Sequence, residues 1–200
     1  MASARRILEI FIKSINVYET GDKKVPEAQN TVLALLNYPM PGKAEVMATT
    51  GLLSGMTDNK TQRFNPPRLL LKEYVLGPTD LLITVTDRDD KNRVVALLRR
   101  LTSAFMGGVG EIVEPVVPGV LRAAFSEAVV SGKLAIGDRT EDKIEVVAVG
   151  SLVIKDPDDL ERQQTINLTA PYELKRRGKP TIKRGASNGQ IELIVNVREP

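Results

Sequence analysis

LLLKEYVLGPTDLLITVTD (residues 69–87) carries the periodicity that decides the fold. In 79–87 the apolar residues Leu81, Ile83 and Val85 alternate with their neighbours, the period of two that puts them on one face of a strand. Residues 69–77 read as a second strand, and Gly77-Pro78 between them reads as a turn.

The period changes just downstream. From Asn92 to Phe105 the apolar set is Val94, Leu97, Leu98, Leu101, Ala104 and Phe105, with Arg93, Arg99, Arg100 and Ser103 off the stripe. This 3.6-residue spacing predicts a helix over 91–106, and Gly107-Gly108 stops it. Pro115 and Pro118 break the next stretch, and a second helix is predicted over 119–131 on Leu121, Ala124, Phe125, Ala128 and Val129. Strand signals return at Leu134. Residues 143–154 place Ile144, Val146, Ala148, Leu152 and Ile154 on one face. Residues 164–170 and 190–199 are further strands; in the last, Ile191, Leu193, Val195 and Val197 oppose Gln190, Glu192 and Asn196.

Upstream, Leu8, Ile10 and Ile12 alternate, and Ile15 and Val17 resume after a break near Ser14, which predicts a bulged strand. Residues 31–38 form another strand, ended by Pro39 and Pro41. Residues 42–68, with Gly, Ser, Asn and Pro66-Pro67, read as the most irregular part. The sum is a mainly β chain: one domain over 1–200, an antiparallel eight-stranded β-sandwich, with an insertion at 91–148 that holds two helices and a strand pair. Repeated βαβ units are missing from the pattern, which argues against doubly wound and barrel α/β folds.

Composition narrows the chemistry. The 200 residues contain no Cys, His or Trp. The usual zinc, haem, iron–sulfur and copper ligands are therefore missing, and so are disulfides and Cys- or His-based catalysis. The Gly107-x-x-Gly110 run has no following Gly-Lys-Ser/Thr, so it is not a phosphate loop. No carboxylate pair has a spacing that singles out hydrolysis. The expectation is a protein that is not an enzyme and carries no cofactor. No stretch approaches the ~18 uninterrupted apolar residues of a membrane span, and the start of the chain reads as a strand, so a cytoplasmic location is expected.

The net charge of +3 is unevenly placed. Residues 1–90 sum to zero and 91–172 to −1, while 173–200 carry +4. Its source is LKRRGKPTIKRG (174–185), with Lys175, Arg176, Arg177, Lys179, Lys183 and Arg184 in one exposed loop between strands. Phosphates of an anionic lipid or a nucleic acid would bind such a loop electrostatically. With only Tyr172 nearby, base stacking is lacking, which disfavours single-stranded nucleic acid. An acidic partner protein, or plain solvent, satisfies the loop equally well.

Three stretches resemble a C2 domain, an antiparallel sandwich that often docks on membranes. They are LEIFIKSINVYETGD at the start, LLITVTDRDD, and the closing run GSLVIKDPDDL, TINLTAPYEL and GQIELIVNV. Together they span about half the chain; the sixty or so residues between Asp90 and Gly150 have no counterpart in that family's pattern. The resemblance implies a calcium loop at Asp87 and Asp89 (with Asp90), with Asp22 as a first-loop ligand. QNTVLAL stands where the family supplies a further ligand, so the set is incomplete and no metal site is expected. Asp89 or Asp90 equally suits the N-terminus of the helix predicted from 91.

The insertion must bury Val94, Leu97, Leu98, Leu101, Phe105, Leu121 and Phe125, on the order of 10 kcal/mol of apolar burial. It packs on its own sandwich or on another chain; Leu97, Leu101, Phe105, Leu121 and Phe125 are the interface candidates. The reading is a binding or assembly module that docks a partner protein or an anionic membrane surface through the insertion and the basic loop. The alternative is a structural subunit of a homo-oligomeric assembly, such as a phage or virus-like particle, or a secretion or contractile apparatus.

Overall fold

A computed structural model of the chain describes residues 6–20, 28–40, 43–75, 77–86, 146–154, 162–171, 173–176 and 179–199. The described residues form ten strands and no helix. They are β1 (Arg6–Val17), β2 (Ala28–Met40), β3 (Lys43–Met56), β4 (Thr61–Val75), β5 (Thr79–Thr86), β6 (Val146–Ile154), β7 (Gln163–Thr169), β8 (Leu174–Arg176), β9 (Lys179–Ile182) and β10 (Ser187–Arg198). The chain is mainly β and antiparallel throughout, as the alternation predicts. The helices predicted at 91–106 and 119–131, and most of the 91–148 insertion, lie outside the described residues.

The main sheet runs β3-β2-β5-β6-β7-β10-β1-β4, and β8-β9 is a separate hairpin. Its centre is a weak seam: β6 and β7 meet at one pair, Val149↔Thr169. The seam divides the sheet into two halves, β3-β2-β5-β6 and β7-β10-β1-β4, whose inner faces share one aliphatic core. Leu8, Ile10, Ile12, Ile191 and Leu193 come from one half, and Val32, Leu36, Leu81, Ile83 and Val85 from the other. The sheet curls because that is how one apolar face of each half leaves water. β5 is buried on both faces, which is why Leu82 and Thr84 are as hidden as Leu81 and Ile83.

The bulge predicted near Ser14 is present as a register shift between Ile12 and Ser14 against both neighbours of β1. A second shift, between Ile10 and Phe11, lets adjacent Leu70 and Leu71 both reach the core. Two expectations are corrected. Residues 42–68, read as irregular, form the long β3 and the first half of β4. Pro66 and Pro67 are tolerated because β4 is an edge strand, where one row of N–H groups has no ladder partner to lose. The strands either side of Gly77-Pro78 also do not pair with each other: β4 joins β1, and β5 joins β2 and β6. Local sequence marks the turn, but the competing hydrophobic faces choose the partners.

Candidate functional site

The registers fix two poles of the sheet. Val17 is opposite Gly189, Asn16 opposite Thr61, Gly189 opposite Leu168, Thr86 opposite Val146 and Thr31 opposite Thr86. The connections 18–27, 57–60, 87–145 and 170–186 therefore all leave from one pole, here the loop pole. Connections 41–42, 76–78 and 155–162 leave from the other, together with the first and last described residues.

The 170–186 connection projects as a hairpin finger. At its neck the Ala170 N–H donates to the Ala186 carbonyl (2.9 Å), and the Gly185 N–H donates to the Ala170 carbonyl (2.8 Å). Gly185 holds φ 75° in open space, the left-handed turn that a glycine takes without strain. Leu174 is buried in the core and Ile182 packs against it, so the root is anchored by aliphatic contacts. Beyond the root, Lys175 is opposite Pro180 and Arg176 is opposite Lys179. Cations at directly opposed strand positions repel, and a bound anion relieves that cost. Lys183 and Arg184 are exposed at the neck, and Arg177 lies outside the described residues. The predicted basic loop is thus a strand pair with a buried foot, which the Leu174 and Ile182 flanks could have signalled.

Beneath the finger lies a buried polar network that the sequence reading missed. The Asn188 amide Nδ2 donates to the Val147 carbonyl (2.7 Å) and to the Glu19 carbonyl (3.1 Å), and its Oδ1 accepts from the Glu19 N–H (2.9 Å). Asn30 Nδ2 donates to the Thr86 carbonyl (2.9 Å) and the Thr20 carbonyl (3.3 Å). Asp58 Oδ1 accepts from both the N–H (2.9 Å) and the hydroxyl (2.7 Å) of Thr20. Two fully buried asparagines thus tie segment 18–20 to the departing and returning ends of the 87–145 crossing. Gly189, with φ 127°, lets β10 approach β1 so closely that a Cβ there would stand 2.0 Å from the Asn16 carbonyl oxygen. Ser187-Asn188-Gly189 reads as turn chemistry in sequence; only the fold shows it as a buried clamp.

Asp22, Asp87 and Asp89 lie outside the described residues. The Thr20–Asn30–Thr86 bridge brings the roots of their two connections together. Asp156, Asp158 and Asp159 are on the connection at the opposite pole, so they do not join that set. Among the described residues no group of three acidic side chains could hold a metal ion. The interface candidates Leu97, Leu101, Phe105, Leu121 and Phe125 also lie outside the described residues, in the crossing rooted at the loop pole. Among the described residues, no helix is long and apolar enough to cross a membrane. No protein-family model matches the chain, and no curated protein matches it in sequence.

Proposed function

We propose that this chain is a non-enzymatic binding and assembly module that works through its loop pole. The finger supplies positive charge, and the 87–145 crossing supplies apolar contact. The observation that carries the reading is their common origin: the most cationic segment of the chain and its longest apolar connection leave from one pole, over a rigid buried network. The partner is the acidic face of a protein or an anionic membrane surface.

In its finer form the architecture is an eight-stranded sandwich of C2 type, its two halves being those either side of the Val149↔Thr169 seam, with a helical pair inserted at 91–148. The lack of Cys and His supports the non-enzymatic, cofactor-free reading. A cytoplasmic site of action belongs to the same proposal.

The test is sedimentation with phosphatidylserine vesicles, neutral vesicles and duplex DNA, at low and high salt. Wild type should pellet with phosphatidylserine at low salt only, because screening shortens from ~10 Å at 0.1 M salt to ~3 Å at 1 M. The variant Arg176→Ala, Arg177→Ala, Lys179→Ala, Lys183→Ala should lose binding by orders of magnitude, at ~1 kcal/mol per cation near a charged surface. Equal binding by both proteins would remove the finger from the function.

A further inference from the structure

The charge of this chain is polar along the strand axis. At the loop pole, the finger holds six cations between 175 and 184. At the other pole, the connection between Ile154 and Arg162 reads KDPDDLE, with Asp156, Asp158, Asp159 and Glu161 as four carboxylates in six residues, flanked by Lys155 and Arg162. Its far anchor is placed by the Val195 N–H, which donates to the Arg162 carbonyl (2.8 Å). A seven-residue connection tied at both ends cannot stray further than about 13 Å, so these carboxylates belong to that pole. The twelve residues of β1 separate the poles by roughly 40 Å, several screening lengths at physiological salt. The two segments of one molecule therefore do not neutralise each other.

Other charges near the acidic pole are already paired. Lys72 and Arg198 both hold Glu9, and Arg6 meets Glu199 at 3.8 Å. The unequal pair left over is the finger and the 156–161 connection.

We infer that the partner of the basic finger is a second copy of this chain, bound at its 156–161 connection, so that molecules associate head to tail. This rests on the binding-module reading above and names its partner. The contact is heterologous: it uses different surfaces on the two molecules, and it repeats into a ring or an open filament according to the rotation per step. Opposed charge supplies orientation and register. Apolar contact from the crossing at the loop pole would supply the affinity.

The experiment is light scattering after size exclusion, on the full chain at low and raised salt. Wild type should exceed the 21.9 kDa monomer at low salt, with a mass that rises with concentration and falls as salt is added. Two charge reversals follow. One is Lys175→Glu, Arg176→Glu, Arg177→Glu, Lys179→Glu; the other is Asp156→Lys, Asp158→Lys, Asp159→Lys, Glu161→Lys. Each alone puts like charge on both poles and should be monomeric. Mixed in equal amounts they are complementary at every contact, so the larger mass should return, which also shows that both variants fold. A wild type that stays monomeric at low salt overturns the inference. So does a large mass that survives either reversal, or a mixture that fails to reassemble. Monomeric wild type that still pellets with phosphatidylserine vesicles would leave the binding-module reading standing and remove only self-association.

Discussion

The Asn188 side chain donates to the Val147 carbonyl at 2.7 Å, joining the first residues of β10 to the first residues of β6. Those strands lie either side of β7, so no backbone ladder connects them. One buried amide does that work, and it also closes both backbone groups of Glu19.

Replacing Asn188 with Ala should therefore cost about 2–4 kcal/mol, since three hydrogen bonds go and buried backbone groups are left without partners. Urea unfolding should show a lower midpoint with an unchanged slope. A shift below a few tenths of a kcal/mol would mean that water replaces the amide.

Gly189→Ala should be worse than any ordinary surface change. The new Cβ would meet the Asn16 carbonyl oxygen at 2.0 Å, and φ 127° is unfavourable for a side chain. The rigid backbone of β1 must give way, so a loss above about 3 kcal/mol is expected. Gly185→Ala is the control, because its Cβ meets nothing within 4 Å and only the φ of 75° is penalised. A loss of about 1 kcal/mol is expected there.

Gly150 sits where β6 faces β7. A Cβ there would lie 2.6 Å from Ile166 Cγ2 and 2.9 Å from Leu168 Cδ2, side-chain ends that can shift, and 3.1 Å from the Asn167 carbonyl oxygen. Gly150→Ala should cost about 1–3 kcal/mol as an overpacking change, and Gly150→Val more. Amide exchange in β6 and β7 should rise in step, because a single residue pair holds that seam.

Glu9 predicts an acid-side dependence. Its carboxylate accepts from Lys72 at 3.1 Å and from Arg198, and the Lys72 hydrogen bond foremost holds its pKa below the usual carboxylate value. A depressed folded-state pKa stabilises above the unfolded pKa, and this contribution is lost as pH falls through the folded one. Wild type should exceed Glu9→Gln in stability at neutral pH, and the two should converge below about pH 4. Denaturant midpoints across pH 2–7 test this; a constant gap would exclude the ionised carboxylate as the cause.

Calorimetric titration with Ca²⁺ should reveal no micromolar site. The Asp58 Oδ1 already serves Thr20, and the 156–159 aspartates leave from the wrong pole. A saturable isotherm abolished by Asp87→Asn and Asp89→Asn would overturn this.

The strand faces of β1, β5 and β10 were legible in sequence because a period of two has one physical meaning when one face is buried. Leu8, Ile10 and Ile12, or Ile191, Leu193 and Val195, reach the core as the alternation says. The concentration of charge at 174–185 was equally legible, since charge is additive along a chain. Partner choice was not. That β4 joins β1 across the sheet, and not β5 across Gly77-Pro78, depends on which buried faces must meet. The clamp at Asn188 was also hidden, because an Asn-Gly pair carries the same local signal whether it is a wet turn or a buried junction. Only the tertiary structure could decide it, by bringing β6 within 2.7 Å of an amide whose burial demands a partner.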